Sequence, residues 1–477
     1  MTRAGKPDHT NNELVHESFW RQKGLHVVTH DRRQSWRRTC ATEQQLPASD
    51  ADEVLPEDNR SLLLQLISKS GLTMGVDLAK VPLPTFILEP RSLLQKLSDT
   101  VVHPEFFSTI ADGATPEQRM ALVCRWYMSA YHVRPKGTKK PYNPVLGETF
   151  QARYTTTATT TSSAAVPPPP SASSSSSSSA TGARGEHSGA NGNVSVHWVS
   201  QQVSHHPPVS AFFARSLDGR TVMQGTFAPK SKFLGNSAAS MGGGAFRLYL
   251  PEHREVYYLT WPNVYVRGVL FGTLLMEIGG DVTITCPASG VQASLTFETK
   301  GYFSGKHHAV KGKIQRIAAP ASAGSPALSP RAASHPAPVP LATVDGLWIS
   351  KVDISTLPAG LAAGMTNVCF DKLALHQTIA QLTILEPFDA ELNNAMPEVC
   401  RMYSSQHVWA GLTTALERND QTLATEAKNE VEERQRTLRT RRKDESIDFV
   451  PSLFRQTDPN NVVGWEYVGA DNVAIPE

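Results

Sequence analysis

The chain has 477 residues, 46 of them basic and 44 acidic, for a formal net charge of +2. So balanced a charge excludes the global basic field of a protein that holds nucleic acid by its phosphates. Only 19 % of residues are charged, while glycine and proline number 32 and 33, so part of this length builds a core and part is too polar to join one.

In chain order, residues 1–54 are polar and irregular and are expected to form a disordered tail. Leu62, Leu63, Leu64, Leu66 and Ile67 predict a short apolar helix over 60–69, closed by Gly71 and Gly75 around Leu72. Val81-Pro-Leu-Pro-Thr-Phe-Ile-Leu reads as extended, because each proline pushes its predecessor out of the α region. Ser92 is placed to N-cap a helix with Leu93, Leu94 and Leu97 on one face. Phe106, Phe107 and Ile110 are candidate core. Thr115-Pro116-Glu117 opens a further helix whose Met120, Leu122, Val123, Trp126 and Tyr127 make it broad enough to be buried.

Two low-complexity segments follow, 155–193 with a proline run at 167–170 and serines at 173–179, and 318–340 rich in Ala, Pro and Ser. Neither buries enough apolar surface to offset the entropy of ordering it, so both are expected to be insertions in loops. Around them lie strand-like runs: 194–203, 221–227, 246–250, 256–261, 281–286, 293–300, 310–317 and 347–354. Short alternating runs between turn residues mean a large antiparallel sheet, and a barrel is the economical way to avoid exposed edges. From Pro397 the pattern turns helical. Residues 422–443 are highly charged, with a thin stripe at Leu423, Ala427, Val431 and Leu438, as in a helix lying on a surface.

The 5 cysteines (Cys40, Cys124, Cys286, Cys369 and Cys400) are scattered and form no CxxC, so neither a disulfide scaffold nor a zinc site is expected. No apolar run reaches the roughly 18 residues of a membrane-spanning helix, and no signal-peptide core opens the chain.

Three constellations stand out. Val203-Ser204-His205-His206-Pro207-Pro208 places two imidazoles side by side where prolines end a strand, and two such rings suit a phosphate. Taken alone it is more readily a polar strand end, and no third ligand stands at metal-site spacing. Lys139 to Glu148 (KKPYNPVLGE) holds Lys140 and Asn143 on a proline-fixed loop, offering a point charge and directional hydrogen bonds. Lys428, Glu432 and Arg436, spaced i, i+4, i+8, share a helix face on which the carboxylate can hold both cations. Alone, these are an ordinary basic turn and an ordinary surface triplet.

Together the three resemble one family, the oxysterol-binding-protein-related lipid transfer proteins. His205-His206-Pro-Pro nearly matches that family's EQVSHHPP signature, Lys140 to Glu148 its KPxNPxLGE segment, and Ala427-Lys428 through Gln435-Arg436 its C-terminal AK…E…QR helix. The resemblance covers about 55–477 apart from the two insertions. It implies an α+β, mostly β fold: a large near-complete antiparallel β-barrel enclosing a lipid tunnel, with an N-terminal lid over 57–80 and C-terminal helices. Carried over, Lys140, Asn143, His205, His206, Lys428 and Arg436 would surround the headgroup phosphates of phosphatidylinositol 4-phosphate, with Glu432 orienting the cations. A sterol or phosphatidylserine would exchange for it in the same tunnel. Leu62, Leu63, Leu66, Ile67 and Leu72 would form the lid's apolar face.

The resemblance also implies a cytoplasmic protein, peripheral at the endoplasmic reticulum and other organelle membranes or contact sites, with anionic membrane surfaces as transient partners. It implies no cofactor and no metal. One departure is Gln201, where the family has Glu; it loses a negative charge near the site, changing either headgroup preference or a structural hydrogen bond. The 155–193 insertion adjoins the HHPP strand in sequence, which raises a steric effect at the entrance. The basic cluster from Arg439 to Lys443 fits either the helix dipole or attraction to anionic lipid.

The leading expectation is a soluble lipid exchanger, and the alternative is a lipid-regulated sensor or scaffold without net transfer. A phosphoinositide hydrolase ranks below both: there is no CxxxxxR loop, no HExxH and no evident pair of metal-binding carboxylates.

Overall fold

The computed structural model describes residues 73–78, 83–134, 137–157, 193–270, 273–300, 306–317, 338–357, 368–371, 381–384, 403–458 and 464–469, with Ser61, Gln65 and Ile475. The expected tail over 1–54 and the lid residues Leu62, Leu63, Leu66, Ile67 and Leu72 lie outside them.

Three helices open the described fold: α1 (Leu93–Leu97), α2 (Pro104–Ser108) and α3 (Pro116–Ser129). Ser92 caps α1 by accepting from the Leu94 N–H, and Thr115 caps α3 by accepting from Gln118 N with Pro116 in the first turn. Before α1 the chain departs from its sequence expectation. Pro84 is extended, but Thr85–Ile87 form a 3-10 turn. They lie beyond the last proline, so nothing holds them extended, and the Thr85 hydroxyl bonds Gln421 Oε1 at 3.0 Å.

The strands are, in order, β1 (Leu88–Ser92), β2 (Lys140–Tyr142), β3 (Thr149–Thr157), β4 (Asn193–His205), β5 (Pro208–Ser216), β6 (Val222–Phe227), β7 (Lys230–Phe233), β8 (Ser237–Met241), β9 (Phe246–Leu250) and β10 (Glu255–Leu259). They continue with β11 (Asn263–Arg267), β12 (Leu275–Cys286), β13 (Val291–Glu298), β14 (Ala309–Arg316), β15 (Val339–Leu347), β16 (Lys351–Thr356), β17 (Val368–Asp371) and β18 (Gln381–Ile384). Strands β3 to β18 form one 16-stranded sheet. Its main path runs β17-β16-β15-β14-β13-β12-β10-β9-β6-β5-β4-β3-β18, with β7, β8 and β11 as a side ladder on β12. Its pairings are antiparallel. Among the described residues β17 and β18 do not pair with each other, so the barrel is near-complete rather than closed.

Alternation sets the two faces of each strand. In β16, Val352 and Ile354 are buried while Lys351 and Asp353 face out. The inward side chains meet the helical layer in one core: Leu94, Phe107, Trp126 and Tyr127 from the helices pack with Trp198, Phe212, Phe246 and Phe297 from the sheet. Arg119 on α3 reaches Glu255 on β10 with two bonds of 2.7 Å, and the Tyr257 hydroxyl donates to the same carboxylate. A buried charge is held at low cost only when paired this fully.

Strands β4 and β5 are buried on both faces. Val196, Trp198 and Phe212 face the main core, while Val199, Val203, Val209 and Phe213 face a second one. A C-terminal hairpin, β19 (Phe454–Gln456) with β20 (Trp465–Tyr467), covers that second face, and Tyr467 stacks on Phe213 at 4.4 Å.

Two sequence boundaries need correction. The run 347–354, expected as one strand, is the end of β15, a turn and the start of β16, with Ser350 N bonding Leu347 O at 2.9 Å. Its apolar residues mislead because Trp348 is buried in the turn itself. The first insertion also begins later and ends earlier than composition implied, and the second ends earlier. Thr155, Thr156 and Thr157 belong to β3, where Thr155 and Ser195 hydroxyls meet at 2.8 Å, and Val339 and Pro340 belong to β15.

The register explains how such insertions are borne. Thr157 pairs directly with Asn193, and Arg316 with Val339, so each segment leaves and re-enters between opposed strand ends. Replacing residues 158–192 or 318–337 by a short Asn-Gly-type turn is therefore expected to leave the melting temperature within a few degrees of the parent. A cooperative loss of structure on shortening would show that the segments join the fold.

Candidate functional site

The C-terminal helices α4 (Ser405–Val408), α5 (Ala410–Glu417) and α6 (Gln421–Asp444) build one wall of the site. Strand β2 pairs in parallel with β1, and both rest on these helices through Leu88, Tyr142, Trp409, Leu412, Ala415 and Ala424. Asp420 caps α6 by accepting from Leu423 N at 2.9 Å. The buried stripe of α6 is Ala424, Ala427 and Val431, while the expected Leu423 is 41 % exposed. Through that stripe the helix packs on α5 and on the Thr85–Ile87 turn, and the Lys428 side chain is left 14 % exposed.

Glu148 locks the loop after β2. Its carboxylate is fully buried and accepts from Val145 N (2.9 Å), Trp409 Nε1 (2.8 Å), the Ser405 hydroxyl (2.7 Å) and the Ser92 hydroxyl. Burial pushes its pKa up, against the pull of these donors. Backbone bonds from Gly147 N to Gln202 O (2.9 Å) and Gln202 N to Glu148 O (2.8 Å) then stitch the loop to the end of β4. Gly147 has φ +87, and a Cβ there would lie 3.2 Å from the Phe449 ring, so glycine is required.

The register of β4 against β5 shifts between Gln202 and Ser204. His205 and His206 follow this irregularity at the strand end, their rings edge-to-face at 4.3 Å. His205 Nε2 lies 3.5 Å from Asn143 Nδ2 and 2.6 Å from Gln435 Nε2 on α6. The Gln435 Oε1 in turn accepts from Leu146 N at 3.0 Å. Burial, then His206, Arg439 and Arg442, push the His205 pKa down to about 4. His206 is also lowered, by burial and Arg439, against the opposing charge of Asp77.

Asp77 belongs to the described part of the expected lid. Residues 73–78 run beside β7, with Gly75 N bonding Phe233 O (2.7 Å), Phe233 N bonding Val76 O (2.9 Å) and Ser231 Oγ bonding Asp77 Oδ1 (3.1 Å).

The α6 triplet forms as its spacing predicts. Lys428 Nζ lies 2.8 Å from Glu432, and Arg436 lies 3.5 Å from Glu432 and 2.9 Å from Glu433. Lys140 sits across from it. Its pKa is lowered by desolvation first and by Lys428 second, with Glu432 opposing. Yet its side chain remains open to solvent. The structure thus places Lys140, Lys428, Glu432 and Arg436 in one charged group, and Asn143, His205 and His206 in an adjoining one. Gln435 joins the two. Among the described residues no cluster of three or more His, Cys, Asp or Glu has the geometry to hold a metal ion.

Gln201 is not part of this group. It lies on the outer face of β4, 2 % exposed, donating to Ser452 Oγ (3.0 Å) and Gly147 O (3.4 Å) and accepting from Leu453 N (3.0 Å). Its role is the structural hydrogen bond, fastening the C-terminal strap to the loop. A glutamate could not donate to the Gly147 carbonyl. The insertion likewise anchors at the far end of β4 from His205, so adjacency in sequence does not put its anchor points at the entrance.

The oxysterol-binding protein family model matches residues 65–323. Oxysterol-binding protein 4 of Dictyostelium discoideum is 34 % identical over 415 residues, 85 % of this chain and 74 % of the relative. The chain belongs to the oxysterol-binding protein family. Its fold is that of the Osh1 ORD domain solved with ergosterol (TM-score 0.59, 20 % identity, covering 92 % of this chain and 95 % of that one). It also matches the Osh3 ORD of Saccharomyces cerevisiae solved with PI(4)P (TM-score 0.53, 20 % identity, 89 % and 92 % covered). Oxysterol-binding proteins bind and transfer lipids and are not enzymes.

Sequence reading of this oxysterol-binding protein missed two parts of the site. Gln435 stands seven residues after Lys428, on the same helix face, which was the available signal. Arg439 and Arg442 act on His205 by charge, although only a helix-end or membrane role was read for their cluster.

Proposed function

We propose that this chain is an intracellular lipid transfer protein that holds one lipid in a tunnel within its barrel. It exchanges phosphatidylinositol 4-phosphate for a sterol or phosphatidylserine between membranes. The observation that carries the reading is that three separate segments bring Asn143, His205 and His206 into contact and set Lys140 and Lys428 close enough to act on each other by charge. That set supplies point charges, ring N–H groups and an amide, the chemistry of an anionic headgroup. The relatives' structures with a sterol and with PI(4)P support the same pair of ligand classes.

Working at two membranes requires transient contact with anionic surfaces. The last turn of α6 carries Arg441, Arg442 and Lys443, and Ile447 (54 % exposed) and Val450 (79 % exposed) follow it. Basic groups beside bare apolar ones suit the interface of an anionic leaflet. On this reading the protein acts in the cytoplasm, at the endoplasmic reticulum and other organelle membranes.

Native mass spectrometry of the purified protein, followed by transfer between liposomes, tests the proposal. One bound lipid per chain, and sterol or phosphatidylserine movement accelerated by phosphatidylinositol 4-phosphate in the acceptor, are expected. Lipid binding without transfer would leave a lipid-regulated sensor instead.

A further inference from the structure

The contacts of Gln435 fix more than position. Its Oε1 accepts the Leu146 backbone N–H, so the NH2 end of the amide faces His205. An amide nitrogen donates and does not accept. At 2.6 Å, His205 Nε2 must therefore be the acceptor, and the ring proton must sit on Nδ1. Asn143 Nδ2, at 3.5 Å, approaches the same lone pair.

We propose that Gln435 is a positioning residue for the anion site: it fixes the His205 tautomer, so that the ring offers an Nδ1–H donor to a phosphate group while carrying no charge. This rests on the phosphoinositide reading above and adds how one ligand group is prepared for it.

The surrounding charges give the physical reason. His206 stands beside the ring, and Arg439 and Arg442 act on it from α6, while Lys140 and Lys428 already charge the adjoining group. Another cation in the empty site would be repelled by these groups, opposed only by Asp77 beside His206 and by Glu432 beside the two lysines. A neutral ring with a preset donor contributes a hydrogen bond without that repulsion. Left alone, a neutral imidazole exchanges between tautomers, and its Nε2–H form would point the Nδ1 lone pair at the incoming oxygen. The glutamine removes that form before the ligand arrives.

The test combines histidine-labelled nitrogen NMR with phosphoinositide binding. In the empty wild-type protein, His205 is expected as the neutral Nδ1–H tautomer throughout the neutral pH range, as befits a ring titrating at about 4. Gln435→Glu keeps an oxygen for Leu146 N–H but turns the donor facing His205 into an acceptor. In that variant the Nε2–H form, and protonation nearer neutrality, are expected. Affinity for liposomes containing phosphatidylinositol 4-phosphate then falls about tenfold at mildly alkaline pH and recovers as pH drops. Gln435→Met removes the amide and is expected to give mixed tautomers and a smaller, pH-independent loss.

An Nε2–H tautomer in the wild type overturns the proposal. So does a Gln435→Glu protein whose tautomer and pH profile match the parent. Because the tautomer is read without ligand, it stands or falls separately from headgroup binding. If wild-type protein shows the Nδ1–H form but binds no phosphoinositide, the headgroup reading fails, and with it the ligand role assigned to the ring.

Discussion

On the proposed headgroup site, Lys140→Ala and Lys428→Ala are each expected to weaken phosphatidylinositol 4-phosphate binding by about 10- to 100-fold, the worth of one charge-assisted hydrogen bond to phosphate. Sterol binding, which needs no cation, stays within about twofold, and competition between the two lipids on liposomes reads both numbers. The reason lies in the empty site. Lys140 is crowded by protein and faces Lys428, so its folded pKa lies below the ordinary lysine value. A lysine whose pKa is lowered on folding costs stability while it is charged; the cost is complete below the lowered value and shrinks as pH rises from there to the ordinary lysine value. Lys140→Met is accordingly expected to raise the melting temperature of the empty protein at neutral pH while removing headgroup binding. An arriving phosphate reverses the sign, because it stabilises the ammonium. Headgroup affinity should therefore decline on the alkaline side earlier than for an ordinary lysine site. If Lys140→Ala weakens binding and Lys428→Ala does not, α6 contributes shape alone.

Glu148→Ala is expected to be the most damaging single change in the site region, at about 3–5 kcal/mol of stability. It strips an acceptor from four donors at once, and the Trp409 Nε1–H and Val145 N–H cannot rotate away to find another. Glu148→Gln should be far milder. Its amide oxygen can keep the two fixed donors while its nitrogen faces the two serine hydroxyls, which can turn to accept. The pair also separates with pH. The Glu148 carboxyl has a folded pKa raised above the ordinary carboxylate value, so its contribution is complete below the unfolded value and is lost as pH rises through the folded one. The Gln variant does not titrate, so chemical denaturation across pH should show it gaining on the parent from acid toward neutrality. Equal loss in both variants would show that the cavity, not the bonds, decides.

The sequence carried the strands and long helices well because their signals are local. Alternation marked Phe246–Leu250 to the residue, and the cap at Ser92 and the Thr115-Pro116 helix start were written in residue type. The charged triplet on α6 followed from spacing alone. What stayed hidden were bonds between distant segments. Nothing near Glu148 announces that Trp409 and Ser405 lie 261 and 257 residues away in sequence but within hydrogen-bond reach. Gln201 looked like a missing charge at the headgroup because its neighbours are the site motif. It shares the strand face of Val199 and Val203, and the irregularity between Gln202 and Ser204 separates it from the histidines, so Ser452 and Leu453 receive it instead. The exposed Leu423 shows the same limit: an apolar stripe gives a helix a face but not the one that neighbouring elements choose.

The paired ends Thr157 and Asn193 have a practical consequence. β4 has 13 residues, so these ends stand about 40 Å along the strand from His205. Two chain ends held across from each other by a ladder make a socket. A folded module whose own termini are close, such as a fluorescent reporter, can be spliced between them without prying the barrel apart. The long serine-rich segment already occupies that socket, so the chain has, in effect, run the splicing experiment on itself. If the proposed transfer function holds, such a fusion would let the protein be followed between membranes by a label seated well away from the histidine end of β4.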